Sequence, residues 1–187
     1  MANLALVLPE QPVTPEAYLL MENDNNIGIR HEYVNGLVYA MTGASRNHNR
    51  VTRRLMRLLD QHLQGSSCEP FQSDMKVKIQ RGDDVRFYYP DVQVTCEEET
   101  DRYYNEHPCL IMEVLSETTQ RVDRTEKRLA YQMIERLQEY VLLSQDSSYL
   151  EIYRRRTEWR RESFSGSDSI TLESVGLTFR VEELYEI

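Results

Sequence analysis

The stretches Phe87-Tyr-Tyr-Pro-Asp-Val-Gln-Val-Thr-Cys96 and Cys109-Leu-Ile-Met-Glu-Val-Leu115 decide the fold. Both are rich in aromatic, β-branched and aliphatic residues, which is typical of buried strands. Each nevertheless carries one carboxylate, Asp91 in the first stretch and Glu113 in the second. An ionised carboxylate in apolar surroundings is very costly unless a cation, a hydrogen-bond donor or a metal ion pairs with it. Two such residues on neighbouring strands predict a divalent-metal site.

Length and composition are those of a globular protein, with 187 residues and 40% hydrophobic content. This length can bury a sizeable core, so we expect a single domain over residues 1–187. Its core is expected at about 14–153, followed by a C-terminal β extension at about 154–187. No apolar run approaches the ~20 residues of a membrane span, and the first ten residues do not resemble a signal peptide. We therefore expect a cytoplasmic protein without membrane attachment.

The three cysteines, Cys68, Cys96 and Cys109, lie in or near predicted strands. Their number is odd and they form no C-x-x-C pair, so neither disulfides nor a zinc site is indicated. We expect buried thiols.

The formal net charge of −9 argues against a nucleic-acid contact that covers the whole surface. Any such contact must be local. Arginines are suited to it because a guanidinium fork matches a phosphate. The candidates lie on the second predicted helix and at one later position: Arg46, Arg50, Arg53, Arg54 and Arg124. The alternative interpretation is that they form solvated faces of helices.

The first half of the chain predicts a helix, a hairpin and a second helix. Thr14-Pro15 begins a short helix that ends at the loop Asn23-Asp-Asn-Asn26. Asn35-Gly36 is the favoured two-residue turn of a hairpin that runs from His31 to Met41. Ser45 then caps a helix from about Arg46 to Gln64, which carries an apolar stripe at helical spacing.

The remainder predicts strands around one further helix. A strand is expected from about Glu69 to Gln80, a helix from about Gln120 to Leu137 and a buried strand at Glu139–Leu143. A β meander follows from Tyr149. The order indicates an α/β or α+β fold with a mixed β-sheet flanked by helices, an N-terminal hairpin and a C-terminal β meander.

A pair of carboxylates and a lysine can support phosphodiester hydrolysis. The reaction needs an activated water and charge stabilisation at an anionic phosphorus centre, and a divalent ion supplies both. Mg²⁺ keeps several waters, so one or two carboxylates and the phosphate oxygens of the substrate can hold it. Asp91 and Glu113 fit as this pair, because their separation of 22 positions (113 minus 91) leaves room for a loop between adjacent strands. Lys127 is the candidate that orients or deprotonates the water or neutralises charge on the phosphate.

Several spaced motifs follow one another from about Thr14 to Tyr153. They are His31-Glu32-Tyr33, Asn35-Gly36, His48, Tyr89-Pro90-Asp91, Glu113-Val114-Leu115-Ser116, then Thr119, Asp123, Lys127 and Tyr131, and finally Glu139-Tyr140. Together they resemble the signature of the Uma-type restriction endonuclease family, which belongs to the PD-(D/E)XK nuclease superfamily. The resemblance implies a restriction-endonuclease-like core with a Mg²⁺ or Mn²⁺ site at Asp91 and Glu113. It also implies that Glu32 is a helper acid and that the backbone carbonyl of Leu115 faces the metal.

One position departs from the superfamily pattern. Leu115 stands where the (D/E)-x-K motif carries its lysine, so this strand supplies no cation. The resemblance moves that role to Lys127 on the following helix, and Lys76 and Lys78 on the preceding strand are the alternatives. Another interpretation makes Lys127 and Asp123 an exposed i, i+4 ion pair. His48 and Tyr131 are interpreted as structural residues.

These observations lead to the hypothesis of a metal-dependent endonuclease that hydrolyses DNA with a metal-activated water. Restriction-type nucleases often cut two strands as symmetric pairs, so a homodimer is expected by analogy. The first alternative is a catalytically inactive nucleic-acid-binding or regulatory module of the same fold. The second is a structural or interaction protein whose acids are paired internally.

Overall fold

The structure is a computed structural model that describes residues 6–7, 12–24 and 28–186. Most of the first ten residues, and Asn25 and Asn26 of the predicted loop, lie outside the described residues. The helices are α1 (Pro15–Asn23), α2 (Arg46–Leu63) and α3 (residues 120–131), and Arg155–Thr157 and Val181–Leu184 form single 3₁₀ turns. α3 has three parts: α-helical Gln120–Val122, π-helical Asp123–Lys127 and α-helical Arg128–Tyr131.

The strands are short and most of them pair with neighbours in two sheets. In chain order they are β1 (Leu6–Val7), β2 (His31–Val34), β3 (Leu37–Ala40), β4 (Glu69–Gln72), β5 (Lys76–Arg81), β6 (Asp84–Tyr88), β7 (Val92–Thr95), β8 (Tyr104–Asn105), β9 (Pro108–Leu115), β10 (Glu139–Ser144), β11 (Tyr149–Arg154), β12 (Arg161–Ser165), β13 (Ser169–Leu172) and β14 (Leu177–Arg180). The first sheet has the order β1-β3-β2-β6-β5-β8 and the second β12-β11-β10-β9-β7-β4, and β13 and β14 form a separate hairpin. In the second sheet β9 and β10 are parallel, while β7 and β9 are antiparallel. The mixed α+β architecture is the predicted fold class.

Local sequence signals account for the N-terminal elements. Thr14 caps α1 by accepting a hydrogen bond from the Ala17 amide, and Ser45 caps α2. The β2–β3 turn has positive φ at Asn35 (47°) and Gly36 (90°), as a two-residue hairpin turn requires.

The predicted strand Phe87–Cys96 is two strands in two different sheets. β6 ends at Tyr88 in the first sheet and β7 begins at Val92 in the second, so the segment Tyr89-Pro90-Asp91 carries the chain between them. Pro90 cannot donate to a ladder, which suits it to this transition. The predicted strand Glu69–Gln80 divides in the same way into β4 and β5. The two transitions touch, since the Ser73 amide donates to the Asp91 carbonyl at 3.2 Å.

The helix predicted from Gln120 to Leu137 ends earlier, at Tyr131. Beyond it the chain makes tight turns in which the Met133 amide donates to the Ala130 carbonyl and the Ile134 amide to the Tyr131 carbonyl. These turns bury Ile134 and Leu137 in the core. The apolar residues whose spacing predicted a longer helix are therefore core residues of the turns.

Apolar side chains cover both faces of the second sheet. α2 packs Val51, Leu55, Leu59 and Leu63 against one face together with the C-terminal hairpin. α3, the turns that follow it and strand β5 pack against the other face. The sheet is therefore buried on both sides, which explains the nearly continuous apolar run of β9.

The expectation of three free thiols is wrong. Cys68 and Cys96 form a disulfide, and Cys109 is the free cysteine. The pairing of Glu69 with Thr95 between β4 and β7 brings the adjoining positions 68 and 96 together, with Cα atoms 3.9 Å apart. Burial raises the pKa of the Cys109 thiol to about 11.

Within the described ranges, the helices are too short or too polar to span a bilayer.

Candidate active site

Asp91 and Glu113 lie side by side at the junction of the two sheets. Asp91 directly precedes β7, and Glu113 lies in β9, the antiparallel neighbour of β7. The Asp91 amide donates to Glu113 Oε2 at 3.3 Å, and the Val114 amide donates to Asp91 Oδ2 at 2.7 Å. Each carboxylate is thus fixed by the backbone that carries the other.

Lys127 contacts three carboxylates. Its Nζ atom lies 2.8 Å from Glu32 Oε1, 3.4 Å from Glu113 Oε1 and 3.7 Å from Asp123 Oδ1. Lys127 and Asp123 are only 6% and 2% exposed, so the interpretation as a surface ion pair is wrong. The π-helical segment holds both residues with their side chains in the interior, and such segments occur frequently at functional sites.

Glu32 comes to the site from the first sheet. It lies on β2, and its Oε1 atom accepts a hydrogen bond from the Tyr89 amide at 3.2 Å in addition to its contact with Lys127. The site therefore combines one acid from the first sheet, one from the segment between the sheets, one from the second sheet and a lysine from α3.

Three further side chains contact this group, and the sequence interpretation had not assigned them to the site. The Tyr131 hydroxyl donates to Glu113 Oε1 at 3.1 Å, and the Nε2 atom of His48 lies 3.0 Å from Asp91 Oδ2. His48 and Tyr131 had been interpreted as structural, and Asp123 as half of a surface ion pair. Their place in the spaced motifs was the signal that could have identified them.

Negative charge exceeds positive charge here. Three carboxylates, those of Glu32, Glu113 and Asp123, lie within 4 Å of Lys127 Nζ. A fourth, that of Asp91, adjoins Glu113 and is approached by His48 from the side of α2. A divalent cation would balance this excess.

The pKa shifts follow from burial and from this crowding. Burial raises the pKa of Glu113 well above its ordinary value, and the neighbouring acids add to the shift while Lys127 opposes it. The pKa of Asp123 is raised for the same reasons. Burial alone would lower the pKa of Lys127, but Glu113, Glu32 and Asp123 outweigh burial and raise it. Burial likewise opposes protonation of His48, and the hydrogen bond and charge of Asp91 outweigh it, so that its pKa rises.

The donor set fits a hard divalent ion that keeps part of its water shell. Within the described ranges, no group of three or more His, Cys, Asp or Glu side chains is arranged to hold an ion. Mg²⁺ does not require one, because two carboxylates, waters and substrate oxygens complete its coordination. The buried Oδ1 atom of Asp123 has no hydrogen-bond partner in the described part of the chain and lies 3.7 Å from Lys127 Nζ. Leu115 ends β9, two residues beyond Glu113, and its carbonyl stays a predicted ligand.

A cavity of about 310 Å³ opens onto Asp91 and Glu113. The first two turns of α2 form part of its wall, with Ser45, His48 and Thr52 directed toward it. Both carboxylates therefore form part of the wall of this cavity.

The five candidate arginines do not line this cavity. Arg46, Arg50 and Arg53 are exposed on another face of α2. Arg54 donates to the Leu184 carbonyl at 2.9 Å, and Arg124 is paired with Glu151. The last two are engaged within the protein, and a role of the first three in binding nucleic acid stays a prediction.

The two alternative lysines lie apart from the carboxylate pair. Lys76 contacts the aromatic rings of Tyr89 and Tyr103, and Lys78 pairs with Glu106 at 2.9 Å. Among the candidate lysines, Lys127 is the one in contact with Glu113.

Known proteins share these motifs and this fold. A family model described as "Uma2: Putative restriction endonuclease" matches residues 15–182. The chain belongs to the Uma2 family. The Uma2 match spans the residues of the carboxylate group, from Glu32 to Tyr131. It also confirms the family resemblance that the spaced motifs indicate.

Two relatives come from Synechocystis sp. (strain PCC 6803). "Uncharacterized protein slr1290" is 35% identical over 181 residues, which cover 95% of this Uma2 chain and 93% of the relative. "Uncharacterized protein sll1609" is 35% identical over 130 residues, or 67% of this chain and 72% of the relative.

A solved structure shares the fold. The crystal structure of "a putative nuclease belonging to DUF820" from Anabaena variabilis ATCC 29413 superposes with a TM-score of 0.63 at 16% identity, covering 83% of this chain and 89% of that chain. The predicted nuclease-like fold class is thereby confirmed.

Proposed function

We propose that this Uma2 chain is a metal-dependent endonuclease that hydrolyses DNA phosphodiester bonds. The observation that carries the proposal is the contact between Asp91 and Glu113 beside an accessible cavity, with Lys127 Nζ 3.4 Å from Glu113. This is the charge pattern that phosphodiester hydrolysis requires. The family description and the superposition on a nuclease-like fold support the same chemistry.

Each residue of the group has a distinct role in the proposed reaction. Asp91 and Glu113 would hold Mg²⁺, or Mn²⁺ in its place, and the Leu115 carbonyl would be a further ligand. The bound ion would supply Lewis-acid charge and lower the pKa of a water molecule. Lys127 would orient the attacking water and neutralise charge that develops on the phosphate. Glu32 holds Lys127 in place through the contact at 2.8 Å and ties it to the Tyr89 backbone.

Nicking of supercoiled plasmid in Mg²⁺ or Mn²⁺ tests the proposal. Wild-type protein is expected to nick the plasmid, while Asp91→Asn and Glu113→Gln lose about 10²-fold or more of the rate. Asp60→Asn is the matched control because it removes an exposed carboxylate on α2. Failure of the wild type to cleave in any divalent ion would contradict the proposal, as would full activity of both variants.

A catalytically inactive nucleic-acid-binding module is the second candidate. It is favoured by the contacts of Lys127, whose ammonium group already lies within 4 Å of three carboxylates. In that case the chain would bind DNA without cleaving it, and calorimetry would detect no binding of Mn²⁺.

We further propose that the active form is a homodimer, by analogy with nucleases that cut two strands as a symmetric pair. Sedimentation of the purified chain with and without DNA tests this. A monomer under both conditions would contradict it.

A further inference from the structure

A second cavity, of about 470 Å³, is lined by Tyr89, and neither Asp91 nor Glu113 forms part of its wall. Its wall includes Glu22, Arg30, Asp74, Lys76, Tyr89 and Tyr103. Arg30 and Tyr89 also line the cavity at Asp91 and Glu113. The two cavities are thus neighbours that share part of their walls.

Lys76 is the unusual residue of this second cavity. It is only 3% exposed, and no carboxylate of the described residues lies within ion-pairing distance of its amine. Its Nζ atom donates to the Tyr89 hydroxyl at 3.4 Å, whereas an ammonium group can donate three hydrogen bonds. Burial lowers the pKa of Lys76, although the charges of Glu22 and Asp101 oppose this. A buried cation with such weak partners is costly, so an anion at this position would relieve the cost.

The acid whose charge acts most strongly on Lys76 is committed to other groups. Glu22 Oε1 accepts hydrogen bonds from the His31 amide at 2.8 Å and the Tyr89 hydroxyl at 3.0 Å, and its Oε2 lies 3.1 Å from His31 Nδ1. Glu22 therefore stabilises the entry of β2 and the position of Tyr89, and its charge acts on Lys76 without a direct contact to the amine.

Aromatic rings flank the amine. Lys76 Nζ lies 5.2 Å from the ring centre of Tyr89 and 5.8 Å from that of Tyr103. The Tyr89 ring is buried, but Tyr103 is 45% exposed. An exposed tyrosine beside a cation is the combination on which an unpaired base stacks while its phosphate is neutralised.

We propose that the second cavity binds a nucleotide adjoining the cleaved one, with its phosphate on Lys76 and its base stacked on Tyr103. The identity of the ligand rests on the proposed nuclease function. Because a base must leave the duplex to stack on a side chain, the subsite selects an unpaired nucleotide, such as one in single-stranded DNA or at a flipped position.

Binding of a fluorescein-labelled single-stranded oligonucleotide in EDTA tests the proposal by fluorescence anisotropy. Lys76→Met is expected to weaken binding about tenfold, because hydrogen bonds to charged groups contribute at about this level. It is also expected to flatten the slope of log affinity against log salt by about one unit. Lys78→Met is the matched control. It removes the same charge two residues along the same strand, where Lys78 is paired with Glu106, and it should bind within about twofold of the wild type.

Tyr103→Ala separates the base contact from the phosphate contact and changes an exposed side chain, so the fold is retained. It should weaken binding of the single strand severalfold and leave binding of a blunt duplex of the same sequence unchanged. Equal affinities of Lys76→Met and Lys78→Met, or equal effects of Tyr103→Ala on both DNA forms, would overturn the proposal.

These measurements need no cleavage. A chain that binds through Lys76 but never nicks DNA would leave the subsite standing and remove the endonuclease proposal. An active nuclease whose affinity does not depend on Lys76 would do the reverse.

Discussion

Glu113, which we propose as a metal ligand, is a buried residue with several polar contacts. It is 3% exposed and accepts hydrogen bonds from Lys127, Tyr131 and the Asp91 amide. Burial and the crowding of acids nevertheless raise its pKa. The ionised form of Glu113 therefore lowers the stability of the metal-free fold.

Without divalent ions, Glu113→Gln is expected to unfold at a higher temperature than the wild type at neutral pH. The folded pKa lies above the unfolded value of 4.5, so the folded state binds the proton more tightly. Stability therefore falls as pH rises from about the unfolded pKa through the folded one. The glutamine variant should lack this contribution. Thermal melts in EDTA across pH measure the difference, and a variant that is less stable than wild type at neutral pH would show that Lys127 satisfies the ionised carboxylate.

Tyr131→Phe is expected to lower the nicking rate about 10- to 100-fold, since it removes one hydrogen bond to a charged group and keeps the ring. The hydroxyl acts by positioning Glu113, so Mn²⁺ affinity measured by calorimetry should fall as well. Tyr149→Phe is the matched control, because its hydroxyl contacts Glu151 outside the site. Unchanged metal affinity in Tyr131→Phe would contradict a positioning role.

At the scale of elements, the two crossings between the sheets place the site. The β4–β5 and β6–β7 connections lie side by side and bring Asp91 to Glu113. The disulfide between Cys68 and Cys96 joins the outer ends of β4 and β7. The disulfide therefore holds together β4 and β7, the two strands that lead into the β4–β5 connection and out of the β6–β7 connection.

Removal of the disulfide by Cys68→Ala is expected to lower the free energy of unfolding by about 3 to 4 kcal/mol under oxidising conditions. The estimate comes from the loop entropy of the sequence separation of 28 residues. Cys109→Ala retains the disulfide and serves as the control. Urea denaturation measures the effect, and a reductant should bring the wild type down to the variant. If reductant does not change the free energy of unfolding of the wild type, the disulfide does not contribute to stability.

At the scale of the whole molecule, a buried polar network joins the C-terminal hairpin to the second sheet. Arg154 Nε lies 3.0 Å from Glu139 Oε1, and Arg154 also donates to the Thr171 carbonyl at 3.0 Å. Glu139 Oε2 accepts hydrogen bonds from the amide and the hydroxyl of Ser174. Glu139 belongs to the spaced motifs, yet its contacts with Arg154 and Ser174 are those of a residue that stabilises the fold.

Arg154→Met is expected to destabilise the protein by about 3 to 5 kcal/mol, because it leaves the Glu139 charge buried without its cation. Adding Glu139→Gln should recover much of this loss, since the double variant has no buried charge at the position. Urea denaturation of the single and double variants measures the coupling. Additive losses would show that the two side chains do not depend on each other.

Local signals predicted the elements whose residues interact with near neighbours in sequence. The Asn35-Gly36 hairpin, the Ser45 cap of α2 and the apolar strand around Glu113 lie as the sequence predicts. The predictions were wrong where the outcome depends on remote partners. Periodicity cannot show that one apolar run crosses between two sheets at Pro90, and an odd number of cysteines does not reveal which two become adjacent.

The sequence by itself determined which acids are out of place in apolar strands and which lysine follows them at helical spacing. Only the tertiary structure decided that Glu32, from a different sheet and 81 positions before Glu113 (113 minus 32), meets Lys127 at 2.8 Å. It also decided that Asp123 and Lys127 are buried, whereas their spacing alone suits an exposed ion pair equally well. The physical reason is that helical spacing and strand alternation depend on near neighbours, while burial and charge depend on packing between segments far apart in the chain.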